Sequence, residues 1–233
     1  MTFTSLASSS RGNAYVVSDG ETTLLLECGL SFRELQKRLG YGVADITACL
    51  VSHEHQDHAK AAAQMLKAGV PVYMSEGTAA AHKDAMDAAN LIKAGDVLRF
   101  GHLTVVPFRT FHNTDEPLGF LIEDGRTKER LLWAVDTANL GVTADRLTYI
   151  AVECNYEESL LNRSDRIPSV LKERIRHSHF EVNDVIKWLH KQDLSGVLTI
   201  WLLHLSAGNS RAEAWQRRFE REFPGITIQI CEE

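Results

Sequence analysis

The sequence has few features that would cross-link the chain or anchor it in a membrane. Its four cysteines, Cys28, Cys49, Cys154 and Cys231, are scattered, with no CxxC pair. That spacing is typical of reduced thiols in the cytosol rather than of a disulfide framework. No apolar run approaches the roughly 18–20 residues that a membrane helix needs. The N-terminus also lacks the basic region and apolar core of a secretion signal. We therefore expect a cytoplasmic protein with no membrane partner.

An excess of positive charge is also absent. Lysine and arginine together number 25 against 31 aspartates and glutamates, which gives a net charge of −6. This balance disfavours tight binding of duplex nucleic acid, although a bound metal can supply the positive charge that a nucleotide needs. No internal repeat, low-complexity tract or Pro/Gly-rich linker divides the 233 residues. We therefore expect a single domain over residues 1–233.

Short apolar runs alternate with amphipathic stretches along the chain. Residues 13–17 and 23–27 are predicted to form a strand pair, because an Asp-Gly turn lies between them. Helices are expected over 57–68, 75–86 and 159–174. This pattern predicts an α/β protein. A four-layer sandwich fits it, and so do other α/β arrangements.

The segment 52–58, Ser-His-Glu-His-Gln-Asp-His, concentrates three histidines and an aspartate after a short apolar strand. In extended backbone, His53 and His55 point to the same side. Asp57 and His58 lie on the first turn of the following helix, where they can face a second point. Imidazole and carboxylate groups suit zinc, iron or manganese. Two ligand pairs within six residues predict two metal ions.

Three further polar residues follow apolar strands: His112, Asp136 and His204. The junction of a buried strand and a loop is a common position for functional side chains on a rigid scaffold. Any one of these residues alone would be interpreted as a turn or capping residue. Together with segment 52–58 they give five histidines and two aspartates, enough for two metal ions with a bridging carboxylate.

These residues resemble the metal-binding pattern of the metallo-β-lactamase superfamily, and the resemblance covers nearly the whole chain. It implies a four-layer αββα sandwich and two divalent metal ions, zinc by default with manganese as the alternative. The β-lactamase branch has cysteine where this chain has Asp136, so antibiotic hydrolysis is not expected. By the resemblance, one metal is held by His53, His55 and His112, the other by Asp57, His58 and His204, and Asp136 bridges them.

A closer resemblance is to the WalJ/YycJ-like group of exonucleases. It is carried by SLASSSRGN at 5–13, CGLS at 28–31, FHNTDEPLGF at 111–120, VECN at 152–155 and HLSAGN at 204–209. Neighbouring groups are the tRNA 3′-processing endonucleases and the phage anti-Pycsar proteins, which hydrolyse cyclic mononucleotides. The anti-Pycsar likeness raises the alternative of a phage protein acting in the host cytoplasm. The residues expected to contact substrate are Asn155, Ser206 and Asn209.

Phosphodiester cleavage needs an activated water, charge neutralisation and a proton for the leaving oxygen. Asp57 can accept the proton of the water as well as bind metal. The resemblance to the tRNA-processing enzymes implies that Glu153 and His179 form an acid pair near the leaving group. The alternatives are a salt-bridged carboxylate at a strand end for Glu153 and a polar residue at a helix N-terminus for His179. The chain departs from the family at Glu27, where aspartate is usual.

Four hypotheses follow for the function. The favoured one is a two-metal phosphodiesterase acting on a small cyclic nucleotide. The second is a DNA or RNA exonuclease, supported by the motif match and by a basic run at 162–177, although that run also fits a solvated helix face. The third is a metal-stabilised binding protein, and the fourth is a thioester hydrolase. Related proteins pair, so we also expect a homodimer.

Overall fold

The computed structural model of the protein describes residues 1–85 and 87–231. Backbone contacts divide these residues into two compact units. The first contains Met1–Arg109 and Thr114–Glu129, and the second contains Thr110–Asn113 and 130–231. The single-domain organisation expected from the sequence stays a prediction.

The first unit is built on a six-stranded sheet with its strands in chain order. The strands are β1 (Thr2–Ser9), β2 (Gly12–Ser18), β3 (Thr23–Leu26), β4 (Ala48–Leu50), β5 (Val72–Met74) and β6 (Asn90–Leu91). The first three are antiparallel, and β3 to β6 are parallel. Three more strands, β7 (Leu98–Phe100), β8 (Leu103–Arg109) and β9 (Leu118–Asp124), pair antiparallel.

The helices of the first unit connect its parallel strands. They are α1 (Phe32–Arg38), α2 (Gln56–Ala59), α3 (Ala62–Lys67) and α4 (Glu76–Ala81), with a 3-10 turn at Val43–Asp45. The helix expected over 57–68 is therefore broken, because the Ala61 amide donates to the Cys28 carbonyl (2.9 Å) instead of continuing the helix. The helix expected over 75–86 is shorter than predicted, and Met86 lies outside the described residues.

The second unit contains four parallel strands in the spatial order β13-β12-β11-β10. They are β10 (Arg130–Ala134), β11 (Tyr149–Glu153), β12 (Thr199–Leu203) and β13 (Thr227–Ile230). The helices are α5 (Glu158–Arg163), α6 (Ser169–Ser178), α7 (Val182–Leu189) and α8 (Ala212–Glu222). The helix predicted over 159–174 is divided in two, with Pro168 immediately before α6.

Three buried parallel strands of the second unit form a rigid support for the polar residues that follow them. Strands β10, β11 and β12 are almost wholly buried, as is typical of parallel strands covered on both faces. Arg130 and Thr199 begin β10 and β12, and the polar residues of the candidate site, Asp136, Glu153 and His204, lie at or just past the carboxyl ends of the three strands. The α/β class predicted from the sequence is confirmed. Among the described residues, no helix is long and apolar enough to cross a membrane.

Candidate metal centre

In the first unit, His53 and His55 lie side by side after β4. His53 Nε2 is 3.1 Å from His55 Nδ1, and the two rings meet edge to face. The Ser52 hydroxyl lies 2.8 Å from His53 Nδ1. The prediction that these two histidines point to the same side is confirmed.

Asp57 and His58 occupy the first turn of α2, as predicted. His58 Nε2 is 3.4 Å from Asp57 Oδ2, and His58 Nδ1 is 3.4 Å from Glu27 Oε2. Glu27 is buried and also accepts a hydrogen bond from the Ser52 amide (3.0 Å). Burial raises the pKa of the Glu27 carboxyl, against the opposing effects of His58 and Ser52. Glu27 therefore connects the β4 loop to His58 and orients the imidazole.

Two residues that the sequence analysis did not single out support α2. The Asn13 amide nitrogen donates to the Asp57 carbonyl (3.2 Å) and lies 3.2 Å from His58 Nε2. The Tyr15 hydroxyl donates to Asn13 Oδ1 (3.0 Å) and so fixes the orientation of that amide. Asn13 belongs to the family-like segment SLASSSRGN at 5–13, which is the sequence feature that could have pointed to it, whereas Tyr15 lies outside that segment.

In the second unit, the hydrogen bonding of His112 fixes its tautomer. His112 Nδ1 lies 2.7 Å from the Ser178 carbonyl oxygen, which can only accept, so Nδ1 carries the proton. In the neutral ring Nε2 then keeps its lone pair, and it lies 3.5 Å from Asp136 Oδ2. Burial lowers the pKa of His112 and outweighs the opposing effect of Asp136. A neutral imidazole whose Nε2 keeps its lone pair is the form that binds metal.

Asp136 and His204 are both buried and both have left-handed backbone, with φ of 46° and 52°. Such strain in residues other than glycine is concentrated at functional sites. His204 Nδ1 lies 2.7 Å from Asp136 Oδ1. Burial acts to lower the pKa of His204, but the carboxylates of Asp136 and Glu153 outweigh it and raise the value to about 10.

Glu153 and His179 are in contact, as the sequence analysis expected. His179 Nδ1 lies 2.6 Å from Glu153 Oε1. Glu153 Oε2 accepts from the backbone amides of Thr137 (2.8 Å) and Phe180 (3.2 Å). Burial acts to raise the pKa of Glu153, but the neighbouring His179 and His204 outweigh it and lower the pKa below its usual value. Burial acts to lower the pKa of His179, but its contact with Glu153 outweighs this effect and raises the pKa.

The residues expected to contact substrate are joined by hydrogen bonds between the loops that follow β11, which carries Asn155, and β12, which carries Ser206 and Asn209. The side-chain amide of Asn155 donates to the backbone carbonyl of His204 (2.8 Å). The backbone amide of Ser206 donates to the backbone carbonyl of Asn155 (2.9 Å). The Asn209 amide donates to the Ser206 hydroxyl (3.1 Å). These contacts hold the backbone of His204. Contact of these three residues with substrate stays a prediction.

The donor set of the second unit fits a divalent metal ion. Ligand atoms of Asp136, Glu153, His179 and His204 all lie within 4.8 Å of one another. Two carboxylates held this close in a buried site attract positive charge, which the neighbouring histidines or a bound metal ion can supply. Imidazole and carboxylate are donors that zinc and manganese accept. Asp136, Glu153, His179 and His204 therefore form a cluster with the donor chemistry of a metal site.

Two of the five lysines and arginines in the predicted basic run 162–177 are engaged within the second unit. The Arg176 guanidinium pairs with Glu158 (2.9 Å) and Glu173 (3.1 Å). The Lys172 ammonium donates to the Asn162 carbonyl (3.0 Å). These contacts favour the interpretation of 162–177 as a solvated surface over that of a phosphate-binding track.

The α/β fold and the cluster of histidines and carboxylates define a metal-dependent hydrolase. A sequence profile for the Beta-lactamase superfamily domain matches residues 22–200. The chain belongs to this superfamily.

Relatives and a solved structure extend this likeness over nearly the whole chain. Exodeoxyribonuclease YycJ of Bacillus anthracis is 30% identical over 91% of this chain and 84% of its own length. Exodeoxyribonuclease WalJ of Streptococcus pneumoniae is 25% identical over 89% of this chain and 82% of its own length. The metallo-β-lactamase fold protein YhfI of Bacillus subtilis has a TM-score of 0.72 at 16% identity, covering 99% of this chain and 96% of that one. The predicted αββα metallo-β-lactamase fold is confirmed.

Proposed function

We propose that this protein is a metal-dependent nuclease that removes nucleotides from the ends of DNA strands. The observation that carries the proposal is the contact of His179 with Glu153, 2.6 Å, beside Asp136 and His204. A histidine oriented by a carboxylate is a suitable general acid near neutral pH. Phosphodiester hydrolysis needs such an acid for its alkoxide leaving group. The exodeoxyribonuclease names of the relatives at 30% and 25% identity support the same substrate.

The proposed metal ligands are those that the sequence analysis expected. When bound, two divalent ions supply a water of lowered pKa and neutralise the phosphate charge. Zinc is the first choice for a histidine-rich set, and manganese is the second. In this proposal His53, His55 and His112 would hold one ion, Asp57, His58 and His204 would hold the other, and Asp136 would be shared between them.

Each protein group has a separate task in the proposed reaction. Asp57 accepts the proton of the attacking water. Glu153 holds Nδ1 of His179, so the proton for the leaving oxygen comes from Nε2 of that ring. Asn155, Ser206 and Asn209 hold the His204 loop and contact the substrate.

A cyclic mononucleotide is the second candidate substrate. The observation that favours it is the pairing of Arg176 with Glu158 and Glu173, which neutralises one cation of a track that a long strand would use. The protein is also acidic overall. Thioester hydrolysis and a purely binding role gain no support from the Glu153–His179 pair, since neither needs an acid for an alkoxide.

A hydrolysis panel with added manganese or zinc tests this proposal. The substrates are 5′-labelled single-stranded DNA, the same sequence in RNA and 3′,5′-cyclic nucleotides. Asp57→Ala serves as the inactive control. Stepwise shortening of DNA that is absent in the control is expected. Turnover of cyclic nucleotides with intact DNA would replace the nuclease proposal with the second candidate.

The proposal includes a homodimer in the cytoplasm, either of the cell that encodes the protein or of a phage host. The dimer rests on the family resemblance and not on a described contact. Light scattering coupled to size exclusion measures it directly, and a mass near 26.1 kDa would contradict it.

A further inference from the structure

A recess of about 220 Å³ opens on the first unit at the carboxyl ends of its parallel strands. Ser75 directly follows β5, Lys93 follows β6 by two residues, and Arg109 ends β8. The lining residues are Ser75, Lys93, Ala94, Arg109, Glu116 and Leu118.

The recess shares a sheet edge with the histidine segment. Strands β4, β5 and β6 are parallel neighbours, so the residues that follow them emerge at the same edge. Neighbouring strands lie about 4.8 Å apart, which places the ends of β5 and β6 roughly 5–10 Å from that of β4. The Leu118 amide also donates to the Ser52 carbonyl (3.0 Å), directly before His53. The recess and the proposed metal ligands of this unit are therefore parts of one edge.

The recess presents two cations, Lys93 and Arg109, that form no ion pair with a described residue. Lys93 and Arg109 are exposed, and no hydrogen bond or ion pair joins either side chain to another described residue. Glu116, the carboxylate that lines the recess, accepts from the Gly77 amide (3.0 Å). Nearby, the Asp96 carboxylate accepts from the Lys93 backbone amide (2.9 Å). Two such cations in a concave site are suited to a phosphate group.

We propose that Lys93 and Arg109 bind a backbone phosphate of single-stranded DNA next to the phosphate that is cleaved. The substrate class rests on the proposed function. The offset of roughly 5–10 Å between strand ends matches the scale of one nucleotide step, so the recess holds the strand while its end reacts. A cyclic mononucleotide has no second phosphate to place there. The recess therefore favours a polynucleotide substrate.

The test compares two double variants that remove equal amounts of charge. Lys93→Gln with Arg109→Gln removes the recess cations. Lys67→Gln with Arg99→Gln is the matched control. Lys67 lies before the amino end of β5, and Arg99 pairs with Thr104 near the amino end of β8, whereas the recess lies at the carboxyl ends of these strands. Fluorescence anisotropy of a labelled single-stranded oligodeoxynucleotide is measured at several salt concentrations. Hydrolysis of bis(p-nitrophenyl) phosphate by the unmodified protein is measured in parallel.

We expect the recess variant to raise the Kd for DNA about fivefold to tenfold. The salt slope of log K should fall by about 0.7 for each phosphate that the variant no longer binds. The control should change neither quantity. Equal Kd values for the two double variants, or no measurable DNA binding by the unmodified protein, would overturn the proposal. Weakened DNA binding in the recess variant supports the phosphate-binding proposal even if the protein hydrolyses no phosphodiester. Absence of hydrolysis would contradict only the proposed function.

Discussion

Glu153 Oε1 lies 2.6 Å from His179 Nδ1, and the carboxylate is held in place from its other side. Its second oxygen accepts from the amides of Thr137 and Phe180, so rotation of the group would break two hydrogen bonds. Glu153 Oε1 also lies 3.1 Å from His204 Nδ1. One buried carboxylate thus orients both a proposed metal ligand and the proposed acid.

The first prediction concerns the leaving group. We expect His179→Ala to lower kcat about 10²- to 10³-fold on DNA, whose alkoxide leaving group needs a proton. Hydrolysis of a p-nitrophenyl phosphodiester should fall only a few-fold, because nitrophenolate leaves without one. Steady-state kinetics on the two substrates measure the difference.

His177→Ala is the matched control for that experiment. His177 lies two residues before His179, is exposed and contacts Glu173 (2.9 Å). It should retain full activity on both substrates. An equal loss of activity on both substrates in His179→Ala would rule out an acid role and indicate a structural one.

The parts of the site that local sequence determines were predicted. The Asp-Gly turn joins β2 and β3 as expected, and segment 52–58 places its ligand pairs as the alternation of extended backbone and the first helical turn require. Asp136 and His204 follow apolar strands whose burial is evident from composition. These features depend on neighbours in the sequence, so no long-range information was needed.

Features that depend on distant contacts were not predicted. Strand β1 is rich in serine and threonine and lacks apolar alternation, and it forms by pairing with β2 at the sheet edge. The break between α2 and α3 results from the bond of the Ala61 amide to Cys28. The division at Pro168 is different, since the proline was visible in the sequence and should have limited the predicted helix.

A second prediction concerns the carboxylate behind His58. Glu27→Gln keeps the size of the side chain but removes the charge that orients His58 Nδ1. Loss of such a supporting group typically lowers metal affinity about 10- to 100-fold. Metal content after competition with a chelator, measured by mass spectrometry, should fall accordingly. Glu34→Gln, on the surface of α1, is the control, and an unchanged metal affinity in Glu27→Gln would show that Glu27 does not orient His58.

A third prediction concerns Gly29, which lies against α2. A Cβ atom at this position would be 1.6 Å from the Asp57 carbonyl oxygen and 2.7 Å from the His58 amide nitrogen. Both atoms belong to backbone and cannot move aside cheaply, so Gly29→Ala should lower the free energy of unfolding by about 3 kcal/mol or more. Urea denaturation measures this. At Gly208 no described heavy atom would lie within 4 Å of a Cβ, so Gly208→Ala should change stability little. Similar values for the two variants would contradict the clash.

The fourth prediction concerns stability on metal removal. An ion that binds only the folded protein stabilises it by about 4 kcal/mol at a thousandfold excess over Kd. For a chain of this size that corresponds to a fall of about 10 °C in Tm when a chelator removes the ion. Differential scanning calorimetry with and without chelator measures it.

The variant Asp136→Asn tests whether the stabilising ion is bound at Asp136. The buried Asp136 carboxylate contacts His112 and His204, and the proposal has it contact both ions. Because the amide lacks the negative charge that attracts the ions, the chelator should change the Tm of this variant far less than that of the unmodified protein. Asp184→Asn, which alters an exposed pair with Lys187, should keep the full response. A chelator effect of equal size in all three proteins would mean that the ion stabilises the fold from a site that does not include Asp136.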